Sequence, residues 1–223
     1  MSEEGPSGYA VWSVLRRDPL TAQGVGAASE SLAEAVAAVE AEGVTVRGLY
    51  DVSAMRADAD LMLWLHGDTA EGLQSAVRRL RRSTELAPLA LTWSAMGVHR
   101  SAEFNKAHVP GFLRGERARQ WLCVYPFVRS YDWYVLPDDE RQAMLAEHGR
   151  KGAAFRSVIA NTVSAFALND YEWLLPMESD ELTDLVDMMR ELRATRARLH
   201  VREEVPFFTG RRIEADQVAE VLA

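Results

Sequence analysis

The sequence predicts an α+β fold in which two ferredoxin-like βαββαβ halves form one continuous antiparallel sheet or barrel with helices on its outside. Two observations lead there. Extended and helical patterns follow each other in the same order twice along the chain, and short identities recur between the two passes.

The first pass begins at residues 9–16, "YAVWSVLR", rich in β-branched and aromatic residues and therefore read as a strand. Residues 31–42, "SLAEAVAAVEAE", combine alanine and glutamate with apolar spacing of helical period, and Gly43 ends that helix. Strands are expected at 44–52 and 60–66, a helix at 69–83 and a strand at 89–95. The second pass places a strand at 120–129, a helix at 137–148, strands at 157–165 and 171–177 and a helix at 180–199, and closes with "VPFFTG". When residues 52–84 are laid without gaps on 163–195, "VSA" meets "VSA", and Arg79, Arg82 and Thr84 meet Arg190, Arg193 and Thr195. The expected domains are an N-terminal half at 1–97, a linking segment at 98–118 and a C-terminal half at 119–223. The linker's "GVHRSAEFNKAHVPGFLRGERA" is long for a structureless connection, and its aromatic and histidine content points to a functional loop.

With 223 residues, 48% of them hydrophobic and 26% charged, the chain can bury a substantial core. A formal charge of −8 opposes general attraction to nucleic acid or anionic lipid. Cys123 is the sole cysteine, so no intrachain disulfide forms and a reducing compartment is expected. No apolar run approaches the roughly 18 residues of a membrane span, and "MSEEGPSGYA" lacks the basic start of a secretory signal, so a cytoplasmic location is expected.

Candidate chemistry concentrates in the second half. Strand periodicity points Trp121, Cys123, Tyr125 and Phe127 to one face and Leu122, Val124, Pro126 and Val128 to the other, and both faces are apolar. Tyr125 is then either a core aromatic or a phenol able to lose an electron and a proton together. His148 follows Met144 and Leu145 by four and three positions, on or beside the apolar face of its helix. It is either a helix-terminal histidine favoured by the dipole, with Gly149 as the residue beyond the helix end, or a neutral imidazole offered to a haem iron. In the linker, His108 has Phe104, Val109 and Phe112 nearby and suits a general base at neutral pH or a solvent-facing position. Arginines at 78–82, Arg129, Arg190, Arg193, Arg196 and Arg198 are mostly surface or ion-paired, though a ligand bearing several carboxylates needs a few of them. "GVGAAS" at 24–29 departs from a dinucleotide fingerprint and lacks a parallel βαβ setting. P-loop, HExxH, CxxC and GxSxG motifs are absent.

Together "WSAMGVHRSAEFNKAHVPGF", "WLCVYPFVRSYDWYVLP", "ERQAMLAEHG", "NTVSAFALNDYEWLL" and "LVDMMRELRATRARLHVREEVPFFTG" resemble the actinobacterial branch of the coproheme decarboxylases, within the chlorite dismutase-like superfamily. The resemblance runs from Tyr9 to Arg212. It implies a dimeric α+β barrel fold assembled as a homopentamer, with the porphyrin in the C-terminal half and the linker over the active site. The implied reaction is hydrogen peroxide-driven decarboxylation of two propionates of Fe-coproporphyrin III (coproheme), through a three-propionate intermediate, to haem b. In that pattern His148 is the axial iron ligand, Tyr125 carries the radical, His108 is the distal base, and Arg129 and Arg193 hold propionates. A transient contact with coproporphyrin ferrochelatase is the expected partnership. Chlorite-degrading relatives carry a distal arginine where residues 159–162 offer Ile-Ala-Asn-Thr, so chlorite decomposition is not expected. A haem-binding protein of this fold without turnover is the alternative, and it would not need Tyr125.

Overall fold

The computed structural model describes residues 8–18, 30–100 and 109–223. The chain forms two compact units, Ser7–Val98 with Phe208–Ala223, and His99–Phe207. Both are antiparallel sheets with helices, an α+β architecture. Among the described residues no helix is long and apolar enough to cross a membrane.

The first unit contains strands β1 (Tyr9–Arg17), β2 (Thr45–Asp51), β3 (Leu61–Gly67) and β4 (Leu89–Val98) and helices α1 (Leu32–Ala41) and α2 (Ala70–Leu80). β1 pairs antiparallel with β3 and β4, and β2 pairs with β3. Ser31 starts α1 through a capping box, its hydroxyl accepting from the Glu34 N–H at 3.3 Å while the Glu34 carboxylate accepts from the Ser31 N–H at 2.9 Å. That bonding holds the exposed Glu34 carboxyl below its ordinary pKa. Gly43, at φ +89°, turns the chain out of α1 into β2, as the sequence predicts. Leu32, Ala35 and Val39 of α1 and Leu73, Ala76 and Leu80 of α2 meet Val11, Leu15, Leu61, Leu63 and Leu65 of the sheet in one core.

The second unit is built on β5 (Trp121–Arg129), which runs antiparallel to a strand at Trp173–Ser179. Between them lie α3 (Asp138–Gly152) and two short strands, β6 (Ile159–Ala160) and β7 (Val163–Ser164), so that Trp173–Ser179 is β8. β6 and β7 pair with the same neighbour, Ile159 opposite Glu178 and Val163 opposite Leu174. The single strand predicted at 157–165 is therefore interrupted. Asn161 lies in the break: its N–H still bonds the Pro176 carbonyl at 2.8 Å, while its side chain turns to the interior partners described below. Helix α4 (Leu182–Arg193) packs on β8 through Leu185, Met188 and Leu192. It stops at Arg193, not at residue 199, and a 3₁₀ turn at Arg196–His200 leads into β9 (Val201–Glu203), which pairs with the end of β5.

The "VPFFTG" strand begins at Phe208. This last strand, β10 (Phe208–Ile213), belongs to the first unit and pairs with β2, with Arg212 opposite Tyr50. A final turn of helix, α5 (Val218–Val221), buries Val218 in the first unit's core.

Candidate active site

The β5 stripe decides where the second unit places its chemistry. Tyr125, Phe127 and Arg129 share one face and line a single pocket, while Leu122 and Val124 on the other face are fully buried. α4 contributes Met189, Leu192 and Arg193, α3 contributes His148, and the segment after α4 contributes Thr195, Ala197, Arg198, Val201 and Glu204. The pocket spans about 490 Å³, part of it continuous with solvent. Four residues singled out from the sequence, Tyr125, Arg129, His148 and Arg193, therefore face one space. His108 lies outside the described residues.

Tyr125 is 5% exposed. Its ring stacks on Phe207 at 4.3 Å between centroids, and its hydroxyl donates to the Met189 sulfur at 3.6 Å. Burial raises the phenol pKa far above its usual value, Cys123 and Glu204 add to the rise, and Arg193 and Arg198 oppose it. The phenol is thus neutral at any physiological pH. It is no base, but its O–H can be given up as a hydrogen atom.

α3 brings His148 in from beside the sheet. Met144 and Leu145 pack against Trp133, Leu136 and Ala197, which seats the helix, and His148 is one turn after Met144. Gly149 does not end this helix. The chain stays helical to Gly152, the Ala153 N–H still bonding the Gly149 carbonyl at 2.9 Å. The imidazole therefore owes its position to packing and not to a helix terminus. Burial lowers the His148 pKa, the Arg129 charge lowers it further, and Glu147 opposes both. Its Nδ1 is 3.4 Å from the Thr195 hydroxyl, which donates its own proton to the Leu192 carbonyl at 2.8 Å. Thr195 can then only accept from His148, so the proton sits on Nδ1 and the Nε2 lone pair is left for a ligand.

Arg129 is 8% exposed and held by aromatic faces, with its Cζ 4.2 Å from the Trp133 ring centroid and 4.8 Å from that of Phe127. Its backbone N–H donates to Glu172 at 2.8 Å. Arg193 pairs with Glu204, which also accepts from Arg198 at 3.1 Å. By contrast, Arg190 pairs with Asp187, and Arg196 with Glu147, on the surface, as the sequence reading expects of most arginines.

Thr195 and Glu204 escape a reading of sequence alone, and Arg198 stands there only within a series of arginines read as mostly surface. Arg193 and Arg198 are five residues apart, which separates them on a continuous helix. The break after Arg193 and the 3₁₀ turn return both to the pocket.

The residues suit an iron porphyrin. Among the described residues no three histidine, cysteine, aspartate or glutamate side chains gather around a bare metal ion. One neutral imidazole is what a porphyrin-held iron takes from one side, the apolar wall of Phe127, Leu175, Met189 and Leu192 suits a macrocycle, and the guanidiniums suit carboxylate arms.

Comparison with known proteins agrees with this site. The chlorite dismutase family model matches residues 26–213. A coproheme decarboxylase of Mycolicibacterium smegmatis is 56% identical over 180 residues, 80% of this chain and 78% of that protein. Chlorite dismutase from Candidatus Nitrospira defluvii, solved with imidazole, superposes with a TM-score of 0.78 at 20% identity over 98% of this chain and 95% of its own. Fold and sequence together place the chain in the chlorite dismutase family.

Proposed function

We propose that the pocket takes Fe-coproporphyrin III as its substrate and that the chain is a coproheme decarboxylase, converting two propionate arms to vinyl groups to give haem b in haem biosynthesis. The observation that carries this reading is a buried neutral phenol and a neutral imidazole lining one pocket whose other polar members are three guanidiniums, Thr195 and Glu204. The 56% identity to a coproheme decarboxylase supports it.

In this reading His148 holds the substrate iron through Nε2, with Thr195 fixing the ring, and Arg129, Arg193 and Arg198 hold carboxylate arms. Hydrogen peroxide is the oxidant, and with the substrate iron it supplies the oxidising power. Tyr125 gives up its hydroxyl hydrogen and then takes one from the propionate carbon next to the ring. The arm loses carbon dioxide as its C–C bond breaks, and the remaining electron passes to the oxidised iron. For each arm, one propionic acid and one hydrogen peroxide give one vinyl group, one carbon dioxide and two waters. His108 is the base that takes the peroxide proton, a role supported by the resemblance of its loop. The homopentameric assembly, the cytoplasmic location and the contact with coproporphyrin ferrochelatase belong to the same proposal, supported by family membership.

Positioning is the main task of the arginines, because an arm displaced by an ångström or so from the phenol loses rate severely. The test is anaerobic loading with Fe-coproporphyrin III, addition of peroxide in steps, and mass analysis. Successive appearance of a three-propionate porphyrin and haem b is expected. An unchanged tetrapropionate would overturn the reading.

A further inference from the structure

Glu204 is the carboxylate among the pocket's lining residues. It follows β9, its side chain is 14% exposed, and a single oxygen, Oε2, pairs with both Arg193 and Arg198. All three residues line the pocket with Tyr125, and all three act on the phenol electrostatically. An arm bound at these guanidiniums would share the pocket with the reacting group.

Two guanidiniums and one carboxylate leave a single net positive charge. A second carboxylate approaching the same guanidiniums would meet the Glu204 charge near contact, where water screens poorly. The geometry favours exchange over addition. We propose that Glu204 stands in for the substrate carboxylate: it holds Arg193 and Arg198 when no carboxylate arm is present, yields them to a propionate, and reclaims them once that propionate has become a vinyl group. This rests on the pocket being a coproheme site.

The consequence is selectivity between the two ends of the reaction. Losing a carboxylate from a partly buried pair of guanidiniums would leave charge unpaired against an apolar vinyl group, which is costly. Glu204 removes that cost for the decarboxylated arm. It also weakens the hold on the arm before reaction, because the propionate must displace a partner already in place. Glu204 therefore lowers substrate affinity and spares product affinity.

Glu204→Gln keeps the side-chain shape and removes the charge. Equilibrium binding without peroxide, followed by the porphyrin absorption band, compares this variant with the parent for Fe-coproporphyrin III, its tetramethyl ester and haem b. The variant should bind the tetracarboxylate roughly tenfold tighter, the size expected when one close like charge is removed. The ester, which brings no carboxylate to take the place of Glu204, should bind the variant no more tightly than the parent, and the same holds for haem b. An unchanged or weakened affinity for Fe-coproporphyrin III would mean that Glu204 braces the arginines, and the proposal would fall. Equal tightening for haem b would also overturn it, because the arm held there would not be a reacting one. Should the parent itself bind none of the three, the coproheme reading of the pocket fails first.

Discussion

The Thr195 hydroxyl accepts from His148 Nδ1 at 3.4 Å while giving its own proton to the Leu192 carbonyl at 2.8 Å. A residue with no charge, just past the end of α4, thus sets which imidazole nitrogen meets the pocket. Thr195→Val keeps the shape and removes the acceptor. In the ligand-free protein, ¹⁵N shifts of the His148 ring should change from a single Nδ1-protonated form to a mixture of tautomers. Porphyrin affinity should fall by roughly tenfold or more, in line with other removals of a ligand's hydrogen-bond partner. A ring still wholly Nδ1-protonated would show that packing alone orients it.

Arg129 acts on the same imidazole through its charge. Because burial and Arg129 both hold the folded His148 pKa below 6.5, the unfolded chain takes up a proton first as pH falls through about 6.5, and stability declines from there down to the folded pKa. Arg129→Gln removes one of the two lowering causes. The folded pKa should then rise, and the pH window of declining stability should narrow, seen by NMR titration of His148 and by denaturant unfolding at several pH values. The variant should also lose about 1 kcal/mol at neutral pH from the contacts with Trp133 and Phe127. A His148 titration unmoved by the substitution would remove Arg129 from this role.

Tyr125→Phe separates binding from turnover. Among the described residues the hydroxyl's direct partner is the Met189 sulfur, a weak acceptor, so its loss should cost no more than about 1 kcal/mol of stability. The variant should bind Fe-coproporphyrin III as the parent does and form no haem b with peroxide. Normal product formation would take the phenol out of the reaction.

His66 in the first unit gives a pH effect independent of the pocket. Burial, with Arg47 adding and Asp68 opposing, pushes its pKa down to about 4. The folded state therefore binds fewer protons than the unfolded chain between pH 6.5 and about 4, and stability contributed by the neutral ring is lost across that window as pH falls. The loss should be on the order of 2 kcal/mol, less than the full shift implies because the ring is only partly buried. His66→Gln should flatten the stability profile below pH 6.5, and an unaltered profile would assign the acid sensitivity elsewhere.

Much of this was legible in the residues. Period-two alternation in β5 puts Tyr125 and Phe127 on one face whatever the strand pairs with, and the Ser31 cap and Gly43 bracket α1 by local chemistry alone. Gly149 misleads because glycine is tolerated inside a helix held by packing elsewhere, as α3 is through Met144. The meeting of Thr195, Arg198 and Glu204 was hidden for a different reason. They converge only because α4 stops at Arg193 and the chain turns back through the 3₁₀ segment to β9, and no periodic pattern records that turn. Asn161, in the break between β6 and β7, likewise finds its side-chain partners far away in the sequence.

Those partners lead to the final expectation. Asn161 and Glu178 are both fully buried, the Asn161 amide donating to Glu178 at 3.1 Å and its carbonyl oxygen accepting from the Phe112 N–H at 3.0 Å. The Arg119 N–H donates to the other Glu178 oxygen at 3.2 Å, so one buried carboxylate and one amide fasten both ends of the segment entering β5. Gly111 makes this approach possible. A Cβ there would lie 2.4 Å from the Ile159 side chain and 3.1 Å from Asn161 Oδ1. Gly111→Ala should therefore push the segment off β6 and weaken the Phe112–Asn161 bond, costing roughly 1–3 kcal/mol as overpacking does. Asn161→Leu should cost at least as much, because it takes a donor from the buried Glu178 carboxylate and the Oδ1 acceptor from the buried Phe112 N–H. Amide hydrogen exchange at Phe112 and Leu113 should accelerate in both variants while the β1–β3 ladder stays protected. Slow exchange at Phe112 in Gly111→Ala would show that Ile159 yields to the added methyl, and that the glycine is not what lets this segment close on the sheet.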